Sequence, residues 1–242
     1  ETLKLENDLQ IHQLKGQFYA NDFYINGLYT DKSSRDFQFN VSYSGSDGVN
    51  SLGVYCAKFD GKGVRKYTTL NSTGKINDLN IKDFVVSGDK TWALMDHMFV
   101  VSKRRPLAQT NMKIINDNTY SNNGIEVGLI DNETGKLEWL HSTKVGNPSS
   151  VNDNGDLISF MYTIKNDELA LIYNQHKSIY ESELPILQNY TKTGKLVSTK
   201  PLSNSLPAKY SLDNSTFVKV ENNKYMVRCK IGSSAKYGYL TF

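Results

Sequence analysis

The sequence predicts an all-β fold, a β-propeller-like repeat of four-stranded antiparallel blades. Three observations predict it. A hairpin pattern recurs four times, and a turn containing Gly and Lys recurs three times. Aromatic and β-branched residues, which fit a pleated, half-buried surface, are abundant, with 15 Tyr and 10 Phe among 242 residues. Patterns that recur along a chain indicate a repeated structural unit.

The recurring hairpin consists of two mainly apolar or aromatic runs joined by Asn, Asp or Gly residues, which tolerate the backbone of a tight turn. Each copy predicts the first two strands of a unit. The four copies are QFYANDFYINGLY around Asn21 and Asp22, DFVVSGDKTWALMD around Gly88 and Asp89, SFMYTIKNDELALIYN around Asn166 and Asp167, and TFVKVENNKYMVRC around Asn222 and Asn223.

The second recurring element is a turn that places Gly and Lys between an apolar strand end and a following strand. It occurs at residues 59–64, 130–140 and 190–196. Gly relieves the strain of positive φ, and a preceding Asp or Thr can bond back to the turn backbone. This element therefore predicts the third and fourth strands of a unit.

Together the two elements predict one all-β domain of about four units, near residues 15–75, 76–145, 146–205 and 206–242. The insertions fall between the second and third strands. The last unit lacks a fourth strand, which residues 1–14 could supply by closing that blade, although Leu3–Leu14 is also the best helix candidate. The units could instead be part of a larger propeller, and a β-sandwich is the competing fold.

Composition excludes several classes of protein. The formal net charge is only +3, and the signs are interspersed, so nucleic acid is not an expected partner. No apolar run is long enough for a membrane helix, and the N-terminal residues do not have the layout of a signal peptide. Cys56 and Cys229 lie in apolar runs and are expected to be free buried thiols, with a disulfide as the alternative.

The search for chemistry finds no known motif. The four His residues have no metal-ligand spacing, and no nucleophile elbow, phosphate loop or dinucleotide fingerprint is present. Asp131 and Glu133 could be taken as paired carboxylates, but turn chemistry explains both. We therefore expect no metal, no cofactor and no catalytic residue.

One candidate site comes from aligning the repeats. The strand after the first turn ends on Asp96 and His97 in the second unit, and on Asn174 and His176 in the third. Equivalent strand ends in a propeller converge on one face, so these four residues are the predicted ligand-binding site. The competing explanation is that strands become polar where they leave the core.

The segments IDNETGKLEW, SFMYTIKNDELALIYN, LQNYTKTGKLVS and the terminal KYGYLTF resemble uncharacterised exported β-propeller proteins of the Bacteroidota. The resemblance covers most of residues 80–242, and its motifs are structural. It implies a periplasmic, outer-membrane-associated or extracellular location and a binding or scaffolding role, and it carries over no catalytic residue.

The function predicted from the sequence is a non-enzymatic binding or scaffold module that recognises a protein or glycan partner through loops on one face. Two alternatives remain open. One is a small propeller enzyme that acts on glycans with acid/base carboxylates from separate blades. The other is a structural subunit of an envelope complex, in which a neighbouring chain completes the last blade by strand addition without a transmembrane segment of its own.

Overall fold

A computed structural model of the chain describes residues 9–31, 52–60, 63–70, 79–106, 114–146, 149–151, 158–175, 184–202, 210–231 and 234–241. The regular structure in these ranges is β-strand, arranged in four antiparallel sheets. The predicted all-β, propeller-like repeat of antiparallel blades is confirmed.

Each of the first three sheets follows chain order, with every strand paired to the next. Sheet 1 contains β1 (Leu9–Tyr19), β2 (Asp22–Asp31), β3 (Gly53–Asp60) and β4 (Gly63–Leu70). Sheet 2 contains β5 (Asn80–Ser87), β6 (Lys90–Pro106), β7 (Ile114–Asp131) and β8 (Leu137–Thr143), with the short β9 (Ser149–Val151) paired to β7. Sheet 3 contains β10 (Phe160–Lys165), β11 (Glu168–Gln175), β12 (Leu184–Tyr190) and β13 (Leu196–Pro201).

Sheet 4 has three strands within the described residues. They are β14 (Ser211–Glu221), β15 (Lys224–Ile231) and β16 (Ser234–Thr241), again paired in chain order. Residues 9–14 were predicted to form either the missing fourth strand of this last unit or a helix. They form the start of β1 instead and pair with β2 in sheet 1. Residues 1–8 lie outside the described ranges, and the unit boundaries stay a prediction.

The hairpin turns lie where the sequence places them. Asn166 and Asp167 both have positive φ, at 51° and 63°, and Asn223 has φ 63°. Asn and Asp occupy this left-handed region more readily than most residues. The first hairpin differs by one position, because Ala20 takes the positive φ, 52°, and the register closes with Tyr19 opposite Asp22.

The Gly-Lys turns of sheets 2 and 3 are closed by similar pairs of backbone hydrogen bonds, and the turn of sheet 2 is one residue longer. Asp131 N donates to Lys136 O and Gly135 N to Asp131 O, at 2.9 and 2.7 Å. The corresponding bonds from Thr191 and Gly194 are 2.9 and 2.8 Å. Gly135 and Gly194 have positive φ, which explains why Gly recurs there. The two described copies of this turn thus share a Gly with positive φ, whereas the predicted copy at residues 59–64 lies partly outside the described residues.

The predicted insertions differ in what they contain. The second, residues 104–123, was expected to be a connection, but most of it extends β6 and β7 to 17 and 18 residues. The prediction missed these strand extensions because it identified strands by their apolar residues, and the extensions are rich in polar residues such as Asn and Ser. Most of the first insertion and the third insertion lie outside the described residues.

The chain divides into two compact units. The first comprises Glu1–Phe99 and Ile125–Thr143, and the second Val100–Gly124 and Lys144–Phe242. Each has an apolar core between its two sheets. The first core contains Leu28, Val54, Cys56, Leu79, Phe84, Ala93, Met95 and Ile130, and the second Met161, Ile172, Leu187, Tyr210, Leu212, Val227 and Cys229.

Both cysteines are free and buried in these cores. Burial raises the pKa of the Cys56 thiol to about 12 and also raises the pKa of Cys229. Their thiols are thus protonated at neutral pH and behave as small apolar side chains, as the sequence predicted.

Candidate functional site

Asp96 and His97, two members of the predicted site, are consecutive residues of β6. Consecutive side chains in a strand point to opposite faces, so these two do not line one surface. Asp96 is buried at 2% exposure, and its Cα pairs with Asn80 of β5. His97 is half-buried and follows Ala93 and Met95 at alternate positions, on the face that packs into the first core.

Asn174, the third predicted member, binds backbone of the neighbouring sheet. Its Nδ2 donates to Leu212 O at 2.7 Å, and its Oδ1 accepts from Leu212 N at 2.9 Å. The side chain thus reproduces the two hydrogen bonds of a strand pair and joins β11 to β14. These contacts give Asn174 a structural role. His176 lies outside the described residues, so the four-residue site stays a prediction.

A polar cluster that the sequence did not predict surrounds Glu126 of β7. Its side chain is only 9% exposed. Glu126 Oε1 lies 3.0 Å from His97 Nε2, and Ser142 Oγ of β8 lies 2.8 and 2.7 Å from the two carboxylate oxygens. Glu126 and Ser142 are opposite each other in the β7–β8 register, so both project from the same face.

The cluster forms because three neighbouring strands each place a polar residue at the margin of the first core. Along β7, Glu126 shares its face with Gly128 and Ile130, and a Cβ on Gly128 would contact Ala93 of β6 and Leu140 of β8. Beyond this apolar layer the same face continues with His97, Glu126 and Ser142. We name these three residues the Glu126 cluster.

Sequence reasoning missed Glu126 because it occurs in the run GIEVGLI, where a charged residue suggests the solvated face of a strand. One signal was present: Glu126 is the single charged residue between Ile125 and Ile130. Only pairing with β6 and β8 shows that a His and a Ser lie opposite it.

The cluster limits the chemistry available. The carboxylate, rather than the imidazole, contacts the Ser142 hydroxyl, so the arrangement differs from a serine nucleophile activated by histidine. Instead, His97 and Ser142 hold the Glu126 carboxyl group in one orientation. A carboxyl group fixed in this way is suited to donate or accept a proton.

The acidic turn after β7 is a second concentration of charge, and its contacts are structural. Asp131 Oδ1 accepts from Glu133 N and Thr134 N at 3.0 and 2.7 Å, while Asp131 Oδ2 lies 2.7 Å from Lys90 Nζ. Lys90 also contacts Glu138 at 3.0 Å. The hydrogen bond from Lys90 and those from Thr134 hold the pKa of Asp131 well below its usual range, and Asp131 and Glu138 raise the pKa of Lys90.

Two further properties concern the described residues only. No group of three or more His, Cys, Asp or Glu side chains is placed to hold a metal ion there. Nor do these ranges contain a helix with the length and apolar character of a membrane span.

No protein-family model matches the sequence, and none of the curated proteins matches it. Solved structures do match. A GH43 β-1,3-galactosidase with galactodeoxynojirimycin is 8% identical over 96% of this chain and 90% of that chain, with a TM-score of 0.29. A mutant α-L-arabinanase from Cellvibrio cellulosa is 8% identical over 96% and 91%, with a TM-score of 0.28.

An exo-β-1,3-galactanase from Clostridium thermocellum is 10% identical over 96% of this chain and 59% of that chain, with a TM-score of 0.25. At these identities no substrate and no residue role passes to this chain.

The comparison nevertheless corrects the prediction of a non-enzymatic binding or scaffold module, and with it the prediction that the chain is not an enzyme. The structures that it resembles are named for glycan-cleaving activities. The error has a physical reason. In an all-β repeat, site residues come from separate strands, so the lack of a local motif says nothing about catalysis.

Proposed function

We propose that this protein is a glycan-active hydrolase in which Glu126 transfers the proton. The observation that carries the proposal is the Glu126 cluster, a nearly buried carboxyl group held by an imidazole and a hydroxyl. Two neighbouring strands hold this carboxyl group in one orientation at the margin of a core, which is the arrangement that general acid catalysis requires.

Cleavage of a glycosidic bond requires a carboxylic acid that protonates the leaving oxygen and a second carboxylate that activates water or attacks the sugar. We assign the first role to Glu126. His97 and Ser142 orient the carboxyl group through their contacts with its oxygens. Asp96 projects from the opposite face of β6 and is not the second carboxylate of this cluster.

The proposal is tested by the release of reducing ends from galactan, arabinan and a panel of other polysaccharides. Glu126→Gln preserves the shape of the side chain and removes the acid. We expect at least about a 100-fold loss of rate, the usual contribution of a general acid. Glu138→Gln is the matched control, because Glu138 lies in the same sheet, is exposed, and contacts Lys90 rather than the Glu126 cluster.

Two results would overturn this assignment: no reducing ends from any polysaccharide with the folded protein, or equal rates for Glu126→Gln and the parent. Melting temperatures of both variants establish that a loss of rate is not a loss of fold.

The location remains a proposal that depends on the resemblance to exported β-propeller proteins of the Bacteroidota. We infer a periplasmic, outer-membrane-associated or extracellular site, where polysaccharide is encountered. Fractionation of the source cells tests this, and recovery of the protein solely in the cytoplasmic fraction would contradict it.

A further inference from the structure

The outer face of sheet 4 combines exposed aromatic rings with basic side chains. Tyr237 and Tyr239 of β16 are 66% and 62% exposed. They alternate along the strand and therefore project from one face, about 6.6 Å apart at a rise of about 3.3 Å per residue. On this same face the register places Arg228 opposite Tyr237 and Met226 opposite Tyr239.

The third strand extends the apolar part of this face. Val218 of β14, 50% exposed, lies opposite Met226, which gives a row of Val218, Met226 and Tyr239 across the sheet. Half of the eight large apolar side chains that the described residues expose belong to sheet 4. Exposed apolar surface with a polar rim marks a binding surface.

The basic residues around this row give the face a positive net charge. Lys224 Nζ lies 4.5 Å from the centroid of the Tyr239 ring, a cation–π contact that also holds the ring in place. Lys230 continues the face beyond Arg228. Two carboxylates offset part of this charge, since Asp213 lies 3.4 Å from Arg228 and Glu221 lies 3.8 Å from Lys224.

Across β14 to β16 there are five basic and two acidic residues, against 28 and 25 in the whole chain. Lys219 and Lys236 alternate with Val218 and Tyr237 and therefore project from the other face. The face that carries the two tyrosines has three basic residues against two acidic ones.

We propose that this face, defined by Tyr237, Tyr239, Lys224, Arg228 and Lys230, binds an acidic polysaccharide. Tyrosine rings offer flat apolar surfaces to the C–H faces of pyranose rings, and two rings spaced along a strand can contact successive sugars. The cations complement the carboxylates of uronic acids, and an arginine can bind a carboxylate through two parallel hydrogen bonds. The proposal goes beyond the hydrolase activity, because the face lies in the second compact unit and the Glu126 cluster in the first.

The test is affinity electrophoresis and calorimetry with polygalacturonate, with neutral galactan as the comparison. We expect polygalacturonate to bind with an affinity that falls as sodium chloride rises, because salt screens the cations. Tyr237→Ala/Tyr239→Ala should weaken binding by about tenfold or more, equivalent to about 1.4 kcal/mol. Arg228→Gln/Lys230→Gln should weaken binding and flatten its salt dependence.

Phe18→Ala is the matched control, since Phe18 is an aromatic side chain of sheet 1 with 78% exposure. It should bind polygalacturonate as the parent does. Circular dichroism and melting temperatures confirm that each variant is folded.

The proposal is overturned by any of five results, of which four concern polysaccharide binding or oligomeric state. The first three are no binding of polygalacturonate, equal binding of galactan, and unchanged binding by both double variants. The fourth is that the parent is a dimer in solution and the double tyrosine variant is a monomer. Stronger binding of single-stranded DNA than of polygalacturonate also overturns it and would assign the face to nucleic acid. None of these results depends on whether the protein cleaves a glycan.

Discussion

The two compact units join their sheets in different ways. In the first, alternate side chains of β1 bind the backbone of β5 and of the turn that follows it. Gln13 Oε1 accepts from Ile81 N at 2.7 Å, Gln17 Oε1 from Val86 N at 3.1 Å, and Tyr19 OH from Gly88 N in the turn at 3.0 Å. Between them Lys15 donates to Lys82 O and contacts Asp83. We name Gln13, Lys15, Gln17 and Tyr19 the β1 comb.

In the described part of the second unit fewer side chains join the two sheets, and the main ones are buried; Thr163 of β10 also contacts Tyr225 of β15. Asn174 makes both bonds to Leu212, and Asn214 Nδ2 adds one bond to Ser159 O at 2.7 Å. Asn174, Asn214 and Leu212 are all buried, whereas the comb is mostly half-buried or exposed. Two sheets can therefore be joined either by several partly exposed side chains or by a few buried ones, and the cost of losing one hydrogen bond differs between the two cases.

The largest loss of stability is expected from a substitution that displaces β1 and with it the β1 comb. A Cβ on Gly27 would lie 2.2 Å from Gln13 O and 2.7 Å from a Leu14 methyl group. Gly27→Ala must therefore displace β1 at its bulge between Ile11 and Gln13. We expect a loss of about 3 kcal/mol in the free energy of unfolding, measured in urea.

Gly238→Ala is the control for that substitution, because its Cβ would meet nothing closer than Cys229 Sγ at 3.8 Å, an ordinary contact. Equal stability of the two variants would show that β1 approaches β2 less closely than described.

The next effect concerns the buried link of the second unit. Asn174→Ala leaves the N–H and C=O of Leu212 without this partner in a buried setting, where each lost bond has its full desolvation cost. We expect a loss of about 2 kcal/mol, with faster hydrogen exchange at Leu212. Lys200→Ala, an exposed residue of β13, should change stability little. Slow exchange at Leu212 in Asn174→Ala would contradict the assigned role.

The smallest effect is expected when one side chain of the β1 comb is removed. Gln17→Ala exposes Val86 N to water, which can replace the lost acceptor, so we expect a loss of about 1 kcal/mol or less. Urea unfolding measures it beside Asn174→Ala. If Gln17→Ala lowers the free energy of unfolding as much as Asn174→Ala does, the proposed difference between the two sheet junctions is wrong.

Much of the fold could be predicted because turns are local. Asn166, Asp167 and Gly135 have positive φ, which only a few residue types adopt readily, so the hairpin turns can be recognised in the sequence. Hairpins join consecutive strands, so the order of strands within each sheet follows. The same reasoning failed at Ala20, whose turn is set by the Tyr19–Asp22 pairing, and in the polar parts of β6 and β7, where pairing rather than apolar pattern makes the strand.

The candidate site shows the limit more clearly. Asp96, His97 and Asn174 stood out because they end apolar strands, and sequence could not tell that two of them face opposite ways or that Asn174 is occupied by Leu212. Residue type and turn position determined the strands and their order. Which strand lies beside which face was decided by the tertiary structure, since the contacts of Glu126 with His97 and Ser142 join residues 29 and 16 positions away along the chain. Contacts at such separations depend on strand register and on which face packs inward, and no local preference specifies either.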